Sequence, residues 1–235
     1  MPDRWSPRVF CFPYAGGNPD MFSAWQSDLE SDAVLVGMPI RGGSIDEVID
    51  ASTAAVRAAT KADRRPVYLF GHSLGALIAF EVARRLDDLP ELRHLVASGL
   101  SAPSLLPSRR VRELARLRGR EFAEALGFFG GLPPEILADE DVLELLLPGV
   151  IADFRLAAGY RYRPAPPLAV DVSLINGRED PHVGPAQLEG WQHECVKPPA
   201  RHWVDGGHFY LDTRPAVVIE LLRELVHADN HVELI

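Results

Sequence analysis

The chain of 235 residues has only two cysteines, Cys11 and Cys195, and only two lysines, Lys61 and Lys197, among its 24 basic side chains. Two cysteines cannot build the disulfide framework of a small secreted domain. The opening residues show no apolar leader, so the expectation is two reduced thiols in a cytoplasmic protein. Long apolar runs are missing too. Stretches such as 66–71 and 142–147 stop far short of the roughly 20 residues a bilayer requires, so no membrane span is expected. Positive charge is scarce, 24 basic against 33 acidic side chains, and a net charge of −9 is poorly suited to holding a phosphate backbone through the overall field, which leaves only a local basic patch for such a role. Solenoid repeats and low-complexity tracts are absent, and the lysine shortage is a compositional bias with no functional meaning of its own. What remains, 47% hydrophobic and 24% charged, suits one globular fold with a large core.

Strand-like runs at 8–14 (RVFCFPY), 33–40 (AVLVGMPI), 66–71 (PVYLFG), 95–100 (LVASGL), 170–175 (VDVSLI) and 201–204 alternate with helical patterns at 19–29, 74–86, 185–194 and 215–227. Ser44 opens another helix: its hydroxyl caps free amides, Glu47 completes an S-x-x-E box, and Ile45, Val48, Ile49 and Val56 form an apolar stripe. The nearly continuous apolar run at 66–71 suits a strand buried on both faces. Together these imply an α/β fold, a mostly parallel, doubly wound sheet. Residues 102–167 break the alternation. They hold no strand-like run, only helical pieces separated at Gly127, Gly130-Gly131, Pro133-Pro134 and Pro148-Gly149. A structureless loop of that length does not suit a compact domain, so the expectation is a helical lid at 102–167 inserted in a core of 1–101 and 168–235.

Gly71-His72-Ser73-Leu74-Gly75 is G-x-S-x-G between a buried strand and a helix. In that setting the glycines permit a sharp turn that raises the serine hydroxyl above the sheet at a helix amino terminus, where free amides favour developing negative charge. A serine hydroxyl needs a base, and the base needs an orienting carboxylate. His208, after a short strand and Gly206-Gly207, is the histidine best placed as base, and His72 in the elbow is expected to point away. Asp180 in the turn Gly177-Arg178-Glu179-Asp180-Pro181, at a strand's carboxyl end, is the best acid, with Glu179 and Asp205 as rivals. For the oxyanion, the Leu74 amide is one donor, and Tyr14 or Ala15, in the loop after the first strand, supplies the other.

FCFPYAGG, GHSLGALIAFEVARRL, the lid segment GGLPPEILADEDVLELLLPGVIADFRLAAGYRYRPAPPL, NGREDPHV and GGHFYL, in this order over nearly the whole chain, resemble the type II thioesterases of polyketide and nonribosomal peptide synthesis. The resemblance implies an α/β-hydrolase fold and hydrolysis of acyl or aminoacyl thioesters on the phosphopantetheine arms of acyl or peptidyl carrier domains, clearing stalled or mis-primed assembly lines. It maps the nucleophile to Ser73, the acid to Asp180 and the base to His208. It implies no metal and no cofactor of the enzyme's own, since phosphopantetheine arrives with the substrate, and a monomer with neither nucleic acid nor membrane as partner.

Two positions depart from that pattern. The loop after the second strand is short, Met38-Pro39-Ile40-Arg41-Gly42-Gly43, which is expected to widen or reshape the entrance; Ile151 precedes Ala152-Asp153 where the family commonly has arginine. Alternative functions are a product-releasing thioesterase or cyclase, an esterase of free or coenzyme A esters, and a docking partner without catalysis. Phe128, Phe129, Leu132 and residues 143–147 are candidates for an acyl channel, although leucines at helical spacing more often pack a core. Residues 102–166 hold nine basic and nine acidic side chains, so the body carries the whole −9. If the stretch from Arg109 to Arg120 is helical, Arg109, Arg112, Arg116 and Arg120 share one face, a candidate dock for an acidic carrier.

Overall fold

Strands β1 (Arg8–Phe12), β2 (Val34–Gly37), β3 (Val67–His72), β4 (Leu92–Ser98), β5 (Asp171–Gly177) and β6 (Ala200–Val204) form one sheet in the order β2-β1-β3-β4-β5-β6. Every pairing is parallel. The structure is a computed structural model describing residues 6–29, 32–127, 132 and 134–232. All six residues of β3 are buried, as its apolar run requires of a central strand covered on both faces. Alternate strand residues divide between two cores. Phe10, Leu69, Leu95 and Leu174 meet α2 (Ile45–Asp63) and α3 (Leu74–Arg85), while Val9, Tyr68, Val96 and Ile175 meet Trp25 of α1 (Ser23–Leu29) and the long carboxyl-terminal helix. β4 starts three residues before the expected run because Arg93 is exposed and His94 is polar, which hides the strand in the sequence. In the fold His94 is buried and its Nε2 bonds Ser173 Oγ at 3.0 Å.

The Ser44 cap forms, its hydroxyl accepting from the Glu47 amide at 3.2 Å. The return bond is displaced by one residue, with Glu47 Oε2 accepting from the Gly43 amide at 2.8 Å. Between β4 and β5 lie α4 (Arg109–Leu114), α5 (Gly119–Gly127), α6 (Pro134–Ala138) and α7 (Glu140–Gly159). Leu114, Phe122, Ala123, Leu126, Leu143, Leu147 and Ile151 form a third cluster inside this segment. α8 (Pro185–Leu188), α9 (Tyr210–Thr213) and α10 (Pro215–Val232) complete the fold. None of the described helices is long and apolar enough to cross a membrane.

Two expectations about the inserted segment are corrected. Pro148-Gly149 does not separate helical pieces, since α7 runs through it. Proline removes one bond, to the Glu144 carbonyl, and both residues are exposed, so water replaces it while buried Leu143, Leu147 and Ile151 hold the helix on either side. The basic window is not one helix either. α4 ends at Leu114, a turn carries Arg116, and Gly119 enters α5 at φ +49°, so Arg109, Arg112, Arg116 and Arg120 do not share one helical face. Arg109 pairs with Glu113 at 2.7 Å and Arg120 with Glu140. Phe128, Phe129, Gly130, Gly131 and Pro133 lie outside the described residues.

Candidate active site

β3 ends at His72 and α3 begins at Leu74, leaving Ser73 alone in the turn at φ 54°, ψ −115°. Positive φ is strained for a residue with a side chain and marks the sharp elbow that lifts a serine above the sheet. The flanking glycines are required by space: a Cβ on Gly71 would collide with the Gly75 carbonyl, and one on Gly75 with the Phe12 carbonyl of β1. Leu74, in the first turn of α3, has no helical carbonyl behind its amide, which is thereby open to an anion at the helix's positive end.

Opposite the elbow, the loops after β5 and β6 are tied together. The Arg178 amide donates to the Val204 carbonyl at 2.8 Å and the Glu179 amide to the Gly206 carbonyl at 3.0 Å. This docking brings His208 to Asp180, Nδ1 to Oδ2 at 2.7 Å, with the aspartate side chain fully buried. Asp180 Oδ1 accepts from the amides of His182 at 2.8 Å and Val183 at 3.3 Å. Burial works to raise the Asp180 carboxyl, but the His208 bond and charge and the His182 amide outweigh it and hold the group below the usual carboxylate range. An ionised Asp180 makes Nδ1 the protonated nitrogen of His208 and leaves Nε2 as an acceptor. The rival carboxylates are elsewhere. Glu179 is exposed and Asp205 pairs with Arg178 at 3.2 Å.

Ser73 and His208 line one cleft of about 500 Å³, together with Leu74, Tyr14 and Ala15, so the candidate nucleophile, base and oxyanion donors are brought to one place. α7 presents two stripes at helical spacing. Leu143, Leu147 and Ile151 enter the third cluster, while Leu146, Val150, Phe154 and Ala157 line the cleft. Leu132 also lines it, but of residues 143–147 only Leu146 does, and Leu145 is 80% exposed. Residues 38–43 of the short loop are not part of the cleft wall; Met38 turns into the core and its amide bonds the Cys11 carbonyl at 2.8 Å. Among the described residues no group of His, Cys, Asp and Glu side chains is arranged to hold a metal.

The family model of the thioesterase domain matches residues 7–225. The chain belongs to that family. It is 30% identical to the probable anguibactin biosynthesis thioesterase AngT of Vibrio anguillarum, over 92% of this chain and 90% of that protein. Among solved structures it superposes on RedJ, a thioesterase from the prodiginine pathway of Streptomyces coelicolor, with a TM-score of 0.81 at 29% identity, covering 95% of this chain and 92% of that one. YbtT, a type II thioesterase from the yersiniabactin pathway, gives 0.78 at 28% identity, covering 95% and 94%. The fold is that of the α/β-hydrolase thioesterases.

Three features of this thioesterase's site lie beyond what sequence patterns signal. His72 is absent from the cleft wall, in keeping with the expectation, but it turns inward: it is fully buried, with its ring centroid 5.0 Å from that of His208. Its Nδ1 bonds Ser98 Oγ at 2.7 Å, Ser98 bonds the Tyr210 hydroxyl, and that hydroxyl donates to the Ile175 carbonyl at 3.1 Å. Burial, then the nearby His208, keeps the His72 imidazole neutral. His182 packs edge-on against His208 at 5.6 Å. Burial first, then the charges of His208 and Arg110, push it down to about 4 against the opposing pull of Asp180. Arg110, unlike the four arginines expected to form a face, lines the cleft itself. Only the adjacency of His182 to Asp180 in the chain signalled any of these.

Proposed function

We propose that this thioesterase cleaves acyl or aminoacyl thioesters from phosphopantetheine arms of carrier domains through a Ser73–His208–Asp180 relay. The observation that carries the reading is the 2.7 Å bond from a buried, ionised Asp180 to His208 in the cleft that also holds the elbow serine. His208 Nε2 takes the Ser73 hydroxyl proton as the oxygen attacks the thioester carbonyl. The amides of Leu74 and of Ala15 or Tyr14 hold the oxyanion. The intermediate expels the thiol, which receives the proton from His208, and leaves an acyl-serine. Water, giving its proton to His208, then releases the acid and restores the serine. The names of AngT, a probable anguibactin biosynthesis thioesterase, and of YbtT, a type II thioesterase from an NRPS/PKS pathway, support a substrate carried on an assembly line.

Intact-mass analysis of a panel of acylated carrier proteins tests the reading. Wild type is expected to release stalled acyl groups faster than finished product, and Ser73→Ala to release none. Release surviving in Ser73→Ala defeats the serine mechanism, and preference for the finished product favours a releasing enzyme. Exposed Arg112 and Arg116 are proposed to meet the acidic carrier. Reversing both to glutamate should raise KM for acyl-carrier and spare a small acyl thioester; equal effects on both substrates remove this element.

A further inference from the structure

The loop after β1 closes as a tight turn in which the Gly17 amide donates to the Tyr14 carbonyl at 2.8 Å. Its third residue, Gly16, stands at φ +80°. The Gly16 amide and the Ala15 carbonyl share the central peptide of the turn, and the Ala15 amide lies in the peptide just before it, so an anchor on Gly16 fixes where the turn sits and with it where the Ala15 amide stands. Two side chains from distant elements hold it. The Tyr14 hydroxyl donates to Asp212 Oδ2 of α9 at 3.1 Å. Asp153 Oδ2 of α7 accepts from the Gly16 amide at 2.7 Å. One turn earlier on α7, Val150 Cγ2 lies 2.7 Å from where a Gly16 Cβ would sit, so only glycine lets the helix come so near.

We infer that Asp153 is the positioning residue of the oxyanion site, fixing from the lid the turn that presents the second donor. Gly16 and Gly17 already donate to Asp153 and Tyr14, so of the two inner amides of the turn it is that of Ala15 that stays open to the oxyanion, with Tyr14, the turn's first residue, as the alternative. Ala15 lines the cleft with Ser73 and Leu74, whereas Asp153 is not among the residues of its wall. A hydrogen bond from an amide to a carboxylate is about twice as strong as a neutral pair, so one side chain can hold the turn in place against α7. Because α7 also supplies Val150 and Phe154 to the cleft, the helix that shapes the acyl site also aligns the donor. The lid position and the catalytic geometry are therefore coupled through one bond. The inference rests on the serine mechanism proposed above.

The test compares Asp153→Ala with Asp153→Asn, whose amide oxygen can still accept from Gly16, on a small acyl thioester. Asp153→Ala is expected to lower kcat about 10- to 100-fold with KM within about twofold, less than the roughly 10²- to 10³-fold loss of a whole oxyanion donor. Asp153→Asn should recover to within about threefold of wild type. A kcat within twofold of wild type in Asp153→Ala, a loss confined to KM, or an Asn variant as impaired as Ala overturns the inference. The Gly16 amide proton in the NMR spectrum of the wild-type protein gives a second reading that needs neither turnover nor a folded Ala variant. Its shift should follow a carboxyl titration that disappears in Asp153→Asn, and an amide indifferent to both defeats the inference. Activity surviving in Ser73→Ala would instead sink the serine mechanism while leaving the amide result to stand by itself.

Discussion

At Asp180 two opposed effects decide the chemistry. Burial alone would raise the carboxyl and return a proton to it, yet the His208 ring and the His182 amide reverse the balance, so the group stays ionised. In the proposed mechanism its role is orientation and charge. Replacing it by asparagine keeps the shape but offers Nδ1 an amide that can donate, which admits the wrong tautomer. Asp180→Asn is expected to lower kcat by about 10³- to 10⁴-fold with little change in KM, measured on a small thioester. Asp180 and His208 were legible before folding because each stands at a strand's carboxyl end beside glycines, in the chain order this fold uses. His72 was not, because nothing in a G-x-S-x-G string tells whether the second residue points to solvent or, as here, into a buried bonded chain with Ser98 and Tyr210.

At the scale of elements, α7 shows how packing overrides local preference. Proline and glycine in succession are among the weakest helix formers, and their pairing reads as a break. The helix continues because its two apolar stripes are anchored before and after the pair, one in the lid cluster and one along the cleft. Local preference then becomes a small residual cost that can be recovered. A Cβ on Gly149 meets nothing within 4 Å, so Gly149→Ala should stabilise the protein by about 0.5–1 kcal/mol, read as a higher urea midpoint. The arginine window is the converse case. Spacing suggested a continuous face, but α4 ends at Leu114 and the left-handed Gly119 starts another helix after a turn.

For the whole molecule, histidines govern the response to acid. His182 is pushed down to about 4 from an ordinary 6.5, and burial lowers His72 and His202 as well. The unfolded chain therefore binds more protons than the folded one once the pH falls below about 6.5. Their contribution to stability is complete above that value and is lost progressively toward pH 4. Burial raises the carboxyls of Asp153 and Asp212, an opposing effect that begins only as carboxylates titrate. Urea midpoints should fall between pH 7 and pH 5, and His182→Gln should show a shallower fall. A slope unchanged by that substitution would show that His182 does not contribute.

The sequence by itself determined the alternation of strands and helices, the elbow turn at Ser73, Asp180 and His208 as the candidate acid and base, and the inserted helical segment. Those are local signals of periodicity, turn chemistry and chain order. Tertiary structure alone decided which arginine reaches the cleft, where α7 continues, how His72 is bonded, and that Asp153 meets Gly16 across 137 positions of chain. The reason is physical: these depend on which faces of separate elements are pressed together, and no local pattern encodes a bond between a lid helix and a loop at the far end of the chain.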